Sequence, residues 1–310
     1  VKGLGGFQLW VDATSEEAVR RLRDRKRRLE KPFGVLFPSI EAVRSYFLLS
    51  SEEEALLRSP QAPIVLARKR RDASLADAVA PDNPYLGAML PSTPLHHLLM
   101  AELQRPMVAT SGNRSEEPIV TDDQEAVVRL KGIADAFLVH DRPIARPVDD
   151  SVVLVVDGKP KSNGRDDTEQ SNDAMMIIRM ARGYAPQGIR WSNGLVHGVQ
   201  GPILAVGGHL KNTVALLTAD RVMLSQHLGD LSTVEADRAF RQAVEDLQRL
   251  LHVTPQAIAC DLYPDYRSTV FARSLSETLS VPLIPVQHHH AHVASCMAEH
   301  RFDGEVLGIA

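Results

Sequence analysis

The sequence predicts an α/β protein made of two parts. Three features carry that expectation. From Phe7 to about Gly158, short runs rich in Val, Ile and Phe alternate with amphipathic stretches. A Gly/Pro-rich, irregular stretch, Arg182 to Pro202, then interrupts the pattern and reads as a linker. Beyond it, apolar runs joined by tight turns give way to a strand–helix–strand–helix order. The boundary is placed between residues 190 and 191, giving domains over 1–190 and 191–310.

In the first part a strand around Phe7–Val11 leads to a helix from about Ser15. Thr14 and Glu17 form a capping box, and Ala18, Val19 and Leu22 form a short apolar stripe. "PFGVLFP" is a strand, "IEAVRSYF" a helix and "APIVLARK" a strand. "PLHHLLMAEL" is a helix, "PMVAT" a strand, "DQEAVVRL" a helix, and "AFLVHD" and "SVVLVVDG" are strands. The polar stretch "GKPKSNGRDDTEQSND", Gly158 to Asp173, reads as an exposed loop before the strand-like "AMMIIRM". In the second part "PILAV", "VALLT" and "RVMLS" are strands turning at "GGHLKN" and "TADR". Glu235 to Leu251 is a helix with a capping box from Ser232 and Glu235 and a buried face of Phe240, Val244, Leu247 and Leu251. "QAIACD", "YRSTVFARSLSETL" and "PLIPVQ" follow as strand, helix and strand.

The bulk composition agrees with a water-soluble chain. Of 310 residues 44% are hydrophobic and 24% charged, and no apolar run is long enough to span a bilayer. Two cysteines, Cys260 and Cys296, cannot staple a chain of this length and suit a reducing cytoplasm. The net charge is −4, yet residues 1–75 hold 15 Lys and Arg against 10 Asp and Glu. The densest part is "RRLRDRKRRLEKP", Arg20 to Pro32, and positive charge so concentrated suits phosphate groups.

Three stretches of the first part could carry chemistry. Lys26, Arg28 and Lys31 lie where a helix ends and a strand begins; they form either a solvated helix end stabilised by the macrodipole or a clamp on a triphosphate. "ATSGNRSEEPI" ends a strand in Ser111, Gly112 and Asn113. It offers a hydroxyl, an amide and close backbone approach where α/β sheets usually bind ligands, or else it is an ordinary Ser-Gly turn. In "DRPIARPVDDSVV", Arg142, Arg146, Asp149 and Asp150 form either a salt-bridged turn or the wall of a polar pocket.

Taken in order, "KGLGGF", "RKRRLEKP", "TSGNRSEEP", "VDDSVV" and "ARGYAP" resemble a YrdC-like domain. "GGHLKNT", "LSQHLGDLS" and "HHHAHVASCMAEH" extend the resemblance to an actin-like transferase domain, and the combination resembles the HypF family of carbamoyltransferases along essentially the whole chain. The resemblance implies a YrdC-like twisted-sheet domain followed by the first part of an actin-like (ASKHA) α/β domain. It implies a fragment truncated at both ends, without the family's acylphosphatase-like domain or zinc fingers. It also implies a function: ATP and carbamate derived from carbamoyl phosphate would give carbamoyl-adenylate and pyrophosphate. The carbamoyl group would then pass to the C-terminal cysteine of HypE as a precursor of the cyanide ligands of [NiFe]-hydrogenases. Lys26, Arg28, Lys31 and Ser111 match catalytic positions. Asn113, Arg146, Arg182, Lys211 and Asn212 match nucleotide-binding ones, with His209 beside the last two, and Mg²⁺ would bridge the phosphates. Leu29 stands where that family usually has Pro, and Ser162–Asp173 looks inserted.

"VQHHHAHVASCMAEH" holds five of the chain's twelve histidines. If a helix begins at His288, then His288 and His292 share a face at the spacing by which two imidazoles reach one metal. The pair also matches the His-x-x-x-His of the transferase superfamily, which implies Zn²⁺ or Fe²⁺ and a third ligand beyond Ala310. His289, His290 and His300 read as bystanders, and Cys296 as core packing. Two other readings use the same motifs: an O-carbamoyltransferase acting on a small-molecule hydroxyl, and an RNA-binding YrdC-type module. Domain order disfavours the first. Acidic net charge, 5% aromatics and the lack of a stacking motif leave nucleic acid an unexpected partner.

Overall fold

A computed structural model describes residues 1–114, 117–156, 175–190, 201–302 and 304–309. These form two units, the first ending at Tyr184 and the second beginning at Ala185.

The first unit runs β1 (Gln8–Asp12), α1 (Glu16–Lys26), β2 (Gly34–Leu36), α2 (Ile40–Tyr46), β3 (Phe47–Leu48), α3 (Ser51–Leu57), β4 (Ile64–Lys69), β5 (Tyr85–Met89), α4 (Pro94–Leu103), β6 (Met107–Ser111), α5 (Asp123–Arg129), β7 (Val152–Val155) and β8 (Met175–Arg179). Its strands make one mixed sheet in the order β1-β6-β2-β5-β4-β7-β8, with β3 on β4. The pairs β2/β5 and β4/β7 are parallel and the others antiparallel. Phe7, Phe33, Phe37 and Phe47 lie in its main core, with Phe37 and Phe47 edge to face at 5.6 Å.

The second unit runs β9 (Gly188–Arg190), β10 (Ile203–Ala205), β11 (Ala215–Leu217), β12 (Arg221–Leu224), α6 (Val234–Leu251), β13 (Ala257–Asp261), α7 (Arg267–Leu279), β14 (Leu283–Val286) and α8 (His288–Glu299). The sheet order is β14-β13-β10-β11-β12-β9. An antiparallel meander, β10 to β12, therefore precedes two parallel additions, β13 and β14. Phe240 of α6 is fully buried and meets Phe271 of α7 edge to face at 5.1 Å.

This is the α/β class that the alternation predicts. The differences are local. Residues 136–141, expected as a strand, form no ladder. Helix α3 and strands β3 and β5 lie outside the elements that the pattern predicts. Helix α1 is capped by Ser15, whose hydroxyl accepts from Ala18, while Thr14 turns back to the Asp12 carboxylate. Helix α6 is capped by Thr233 rather than Ser232. In both, the residue one step on has the extended backbone that a cap needs. Part of the expected linker is structured: Arg182–Tyr184 stay with the first unit and β9 pairs with β12. The break thus falls ahead of residue 190. Residues 191–200, and the polar stretch from Gly158 to Asp173, lie outside the described residues.

Phe240→Ala should remove about 3–5 kcal/mol of stability, because it empties a fully buried aromatic site. Chemical denaturation should show this as an earlier unfolding transition with an unchanged denaturant slope.

Candidate active-site cleft and histidine pair

In the first unit, the end of β6 and the segments flanking β7 and β8 converge. The sheet pairing β1/β6 brings Gln8 opposite Ser111. Past the strand, Gly112 lets two segments touch: its N–H donates to the Phe7 carbonyl at 2.6 Å, and a Cβ there would meet that oxygen at 2.6 Å. Ser111 donates its hydroxyl proton to Asn113 Oδ1 at 2.8 Å.

Lys26, the last residue of α1, reaches this turn from behind. Its Nζ donates to the Ser111 carbonyl (2.7 Å), the Asn113 carbonyl (2.8 Å) and Asn113 Oδ1 (2.7 Å). Burial pushes its pKa down to about 7, with Arg28 and Lys31 adding repulsion and Asp149 opposing them. Arg28 donates to the Lys31 carbonyl (2.9 Å), the Pro32 carbonyl and Thr110 Oγ1 (3.4 Å). Its guanidinium lies 4.7 Å from the Phe33 ring centroid, and burial first, then Arg23 and Arg179, lower its pKa to about 10. Lys31 is exposed. Arg23, not singled out in the sequence, is buried, and its guanidinium also lies 4.7 Å from the Phe33 centroid. It donates to the carbonyls of Ala78, Val79, Arg28, Leu29 and Lys31. The basic cluster therefore works inward, gripping carbonyl oxygens that shape the turns around the cleft.

The acidic pair and the Arg-Gly-Tyr segment form one junction. Ser151 is fully buried; its hydroxyl accepts from the Ala181 N–H (2.8 Å) and donates to the Arg182 carbonyl (2.9 Å). Arg182 donates from two nitrogens to Asp150 Oδ1, at 2.7 and 3.1 Å, and also to the carbonyls of Gln61 and Ala62. Asp149 pairs with Arg179 at 2.9 Å. The acidic pair is salt-bridged to Arg179 and Arg182 and also forms part of a pocket wall, but Arg146, the expected third member of that wall, does not. Asp149, Asp150, Arg182, Ser111 and Gln8 line one cleft, together with Ser92, Thr93 and His96 from the start of α4. Arg146 is exposed and does not line it. Sequence patterning passes over His96, because "PLHHLLM" reads simply as helix.

In the second unit, the "GGHLKNT" turn is braced through Asn212. This buried side chain donates to the Val206 (2.9 Å) and Gly208 (2.6 Å) carbonyls, and its backbone bridges to Gly229. Its Oδ1 has no partner among the described residues. Lys211 is exposed in a left-handed conformation (φ 47°), its N–H on Asp230 Oδ1. His209 stacks on Tyr266 at 5.5 Å.

A helix does begin at His288. His288 Nδ1 lies 2.7 Å from Asp261 Oδ2 at the end of β13, and His292 Nε2 lies 3.1 Å from His288 Nε2. A carboxylate only accepts, so the Nδ1 proton faces Asp261 and Nε2 is the nitrogen left facing His292. Two imidazole nitrogens on one tetrahedral Zn²⁺ stand roughly 3.4 Å apart, which the observed separation approaches. The pair thus fits two ligands of one ion; no set of three donor side chains occurs among the described residues. His289 and His290 are exposed on α8, and so is His300 just past its end. Cys296 is exposed too, correcting the expectation that it packs in a core: α8 buries none of its residues. Asp261 is legible in the sequence only as part of a strand, since its partner is 27 positions away.

A mixed-sheet domain with a strand-end cleft, followed by a meander-led α/β domain with a histidine pair, defines the class as a two-domain protein of YrdC-like and actin-like parts. The Sua5/YciO/YrdC family ("Telomere recombination") matches residues 1–163, and "HypF Kae1-like domain" matches residues 199–299. The chain belongs to the Sua5/YciO/YrdC family through its first half and, with the Kae1-like part that follows, to the HypF proteins. It is 45% identical over its whole length to "Carbamoyltransferase HypF" of Synechocystis sp. and 44% identical to "Carbamoyltransferase HypF2" of Cupriavidus necator, spanning 38% of each. Among solved structures, a full-length HypF in the phosphate- and nucleotide-bound form superposes with a TM-score of 0.87 at 45% identity, over 100% of this chain and 45% of that one. T. kodakarensis HypF gives 0.86 at 36% identity, over 97% and 37%. The chain therefore spans less than half the length of these relatives. No described helix is long and apolar enough to cross a membrane.

The buried Lys26 makes a pH prediction. Between about pH 7 and the ordinary lysine value of 10.5, the unfolded chain holds a proton that the folded chain has released, so stability rises with pH across that window. Urea denaturation at several pH values should show wild type gaining stability relative to Lys26→Met as pH climbs from about 7 to 9. Parallel curves would show that Lys26 is not the source.

Proposed function

We propose that the chain carries the adenylating station and the first part of the transfer station of a carbamoyltransferase of [NiFe]-hydrogenase maturation. The observation that supports this best is the cleft where Ser111, hydrogen-bonded to Asn113, meets the Asp149–Asp150–Arg182 junction, in a chain that matches HypF carbamoyltransferases along its whole length.

In the first step a carbamate oxygen, supplied from carbamoyl phosphate, attacks the α-phosphorus of ATP. The bond to the β-phosphate oxygen breaks, giving carbamoyl-adenylate and pyrophosphate. Negative charge spreads over phosphate oxygens, so the protein's part is positioning and electrostatic stabilisation. Lys26, Arg28 and Lys31 would supply the field, Ser111 and Asn113 would present hydroxyl and amide, and Arg146 and Arg182 would hold the nucleotide, while Mg²⁺ would supply further neutralisation of phosphate charge. In the second step the thiolate of HypE's C-terminal cysteine attacks the carbamoyl carbon and AMP leaves. Lys211 and Asn212 face the nucleotide there. His288 and His292 would hold Zn²⁺ or Fe²⁺, which would supply Lewis acidity toward the carbamoyl group. Asp261 keeps the His288 proton on Nδ1 so that Nε2 remains a ligand.

Exchange of labelled pyrophosphate into ATP, dependent on carbamoyl phosphate and measured with the full-length protein, tests the first step. Lys26→Ala and Arg28→Ala should each lower it by about a hundredfold or more, and unchanged exchange would sink the assignment of the cluster. A carbamoyl mass increase on HypE's terminal cysteine tests the second step. For the histidine pair, Asp261→Asn should weaken Zn²⁺ binding to this chain by about tenfold in a competition titration with a chromogenic chelator; equal affinity would remove Asp261 from the site.

A further inference from the structure

His96 is an anomaly in the first unit's cleft. It lies in the first turn of α4, with its backbone N–H held by the Thr93 hydroxyl at 3.1 Å. Its side chain is only 6% exposed and lines the cleft with Ser92, Thr93, Ser111, Asp150 and Arg182. Neither ring nitrogen has a hydrogen-bond partner among the described residues. The adjacent Trp10 ring, 5.4 Å away and tilted, offers none, because its N–H is spent on Gln8 Oε1. Leaving two buried polar atoms idle is costly, and a native fold rarely tolerates it without a function.

The chemistry of the ring narrows what could fill the gap. Burial pushes the His96 pKa down to about 4; Asp150 opposes this and Arg182 reinforces it. Near neutral pH the ring is therefore uncharged, with one N–H donor and one lone-pair acceptor. The first turn of a helix favours negative charge beside it. A small planar acid with a polar third substituent can meet both conditions. Carbamate carries an amino group on its carboxylate carbon, and its isostere bicarbonate carries a hydroxyl there. The carboxylate suits the helix end, and the N–H or O–H suits the imidazole. An alkyl carboxylate would place a methyl group against the idle nitrogen and leave it unpaired.

We infer that the His96 imidazole is a specificity-determining contact of the cleft, hydrogen-bonding the amino or hydroxyl edge of a carbamate-type acid and selecting it over alkyl carboxylates. The inference rests on the carbamate reading of this site. Part of the cost of the empty ring, that of its lone-pair nitrogen, is then recovered when the substrate enters, so selectivity comes from an unpaired acceptor that only the right acid satisfies.

The test is a binding titration of the 310-residue chain with ¹³C-bicarbonate and, separately, ¹³C-acetate, followed by NMR. Wild type should prefer bicarbonate by about tenfold, the worth of one hydrogen bond. His96→Leu should bind both alike, and His96→Gln, which keeps an uncharged donor and acceptor, should retain part of the preference. A purely structural His96 predicts the reverse pattern: both acids weakened together, with no change in their ratio. Thermal unfolding shows whether each variant is folded. Because Leu removes two unsatisfied polar atoms, His96→Leu should melt no lower than wild type. Should the Leu variant fail to fold, the ¹⁵N imidazole resonances of wild-type His96 decide: they should shift with bicarbonate and stay in place with acetate. An undiminished preference in folded His96→Leu, a wild type that does not bind bicarbonate, or resonances indifferent to it would each overturn the inference. Loss of pyrophosphate exchange with this preference intact would instead sink the adenylate reading and leave the contact standing.

Discussion

A buried cation must find acceptors for its donors, and the first unit's cleft is organised by that requirement. Arg23, Lys26 and Arg28 donate mainly to backbone carbonyls at turns, and Arg182 divides its donors between two carbonyls and the Asp150 carboxylate. Lys26 alone holds three oxygens of the Ser111–Asn113 turn. Arg182 ties the approach to β4 to the Asp150 carboxylate. The cleft's shape is thus set less by the sheet beneath it than by positive charges pulling loop oxygens inward. The basic segment is thus divided: Arg23 and Lys26 are over nine-tenths buried, while Arg20, Arg21, Arg27 and Lys31 are exposed.

The same requirement bears on how a triphosphate would be bound. Lys26 and Arg28 already have protein acceptors, so phosphate oxygens would have to replace some of these contacts or share the cations' charge across them. Asp149 and Asp150 would repel a polyanion if bare, but each is matched by an arginine. What remains is a cleft whose aspartates are each paired with an arginine and whose turns are already held by hydrogen bonds. That suits electrostatic preorganisation, in which the field is in place before charge develops.

How much of this is legible in the sequence follows from the range over which each signal acts. Hydrophobic period is local, so α1, α2, α4 to α7 and most strands can be read from it. The sequence reading places the caps of α1 and α6 one residue early, because Thr14-Ser15 and Ser232-Thr233 each offer two adjacent hydroxyls, and only backbone conformation chooses between them. "AFLVHD" has the composition of a strand but finds no partner, and an apolar run alone does not supply one. The i, i+4 spacing of His288 and His292 is visible, whereas the roles of Asp261, Ser151 and His96 are not. Their significance lies in contacts across 27 to 31 positions, or, for His96, in contacts that are missing.

Both candidate sites depend on a proton being held in one place. In the second unit, Asp261 accepts from His288 Nδ1 and thereby fixes which nitrogen faces His292. In the first, burial keeps the His96 ring neutral, so that it retains one lone pair as well as one N–H. A protonated ring at either place would have two donors and no acceptor. It would repel a metal ion in one site and lose its acceptor in the other. The two sites differ in what faces the ring: Asp261 orients a half-exposed histidine through its Nδ1–H, whereas the buried one meets no hydrogen-bond partner among the described residues. The second arrangement is the costlier in the empty protein, and that cost is what makes it responsive to the acid that enters.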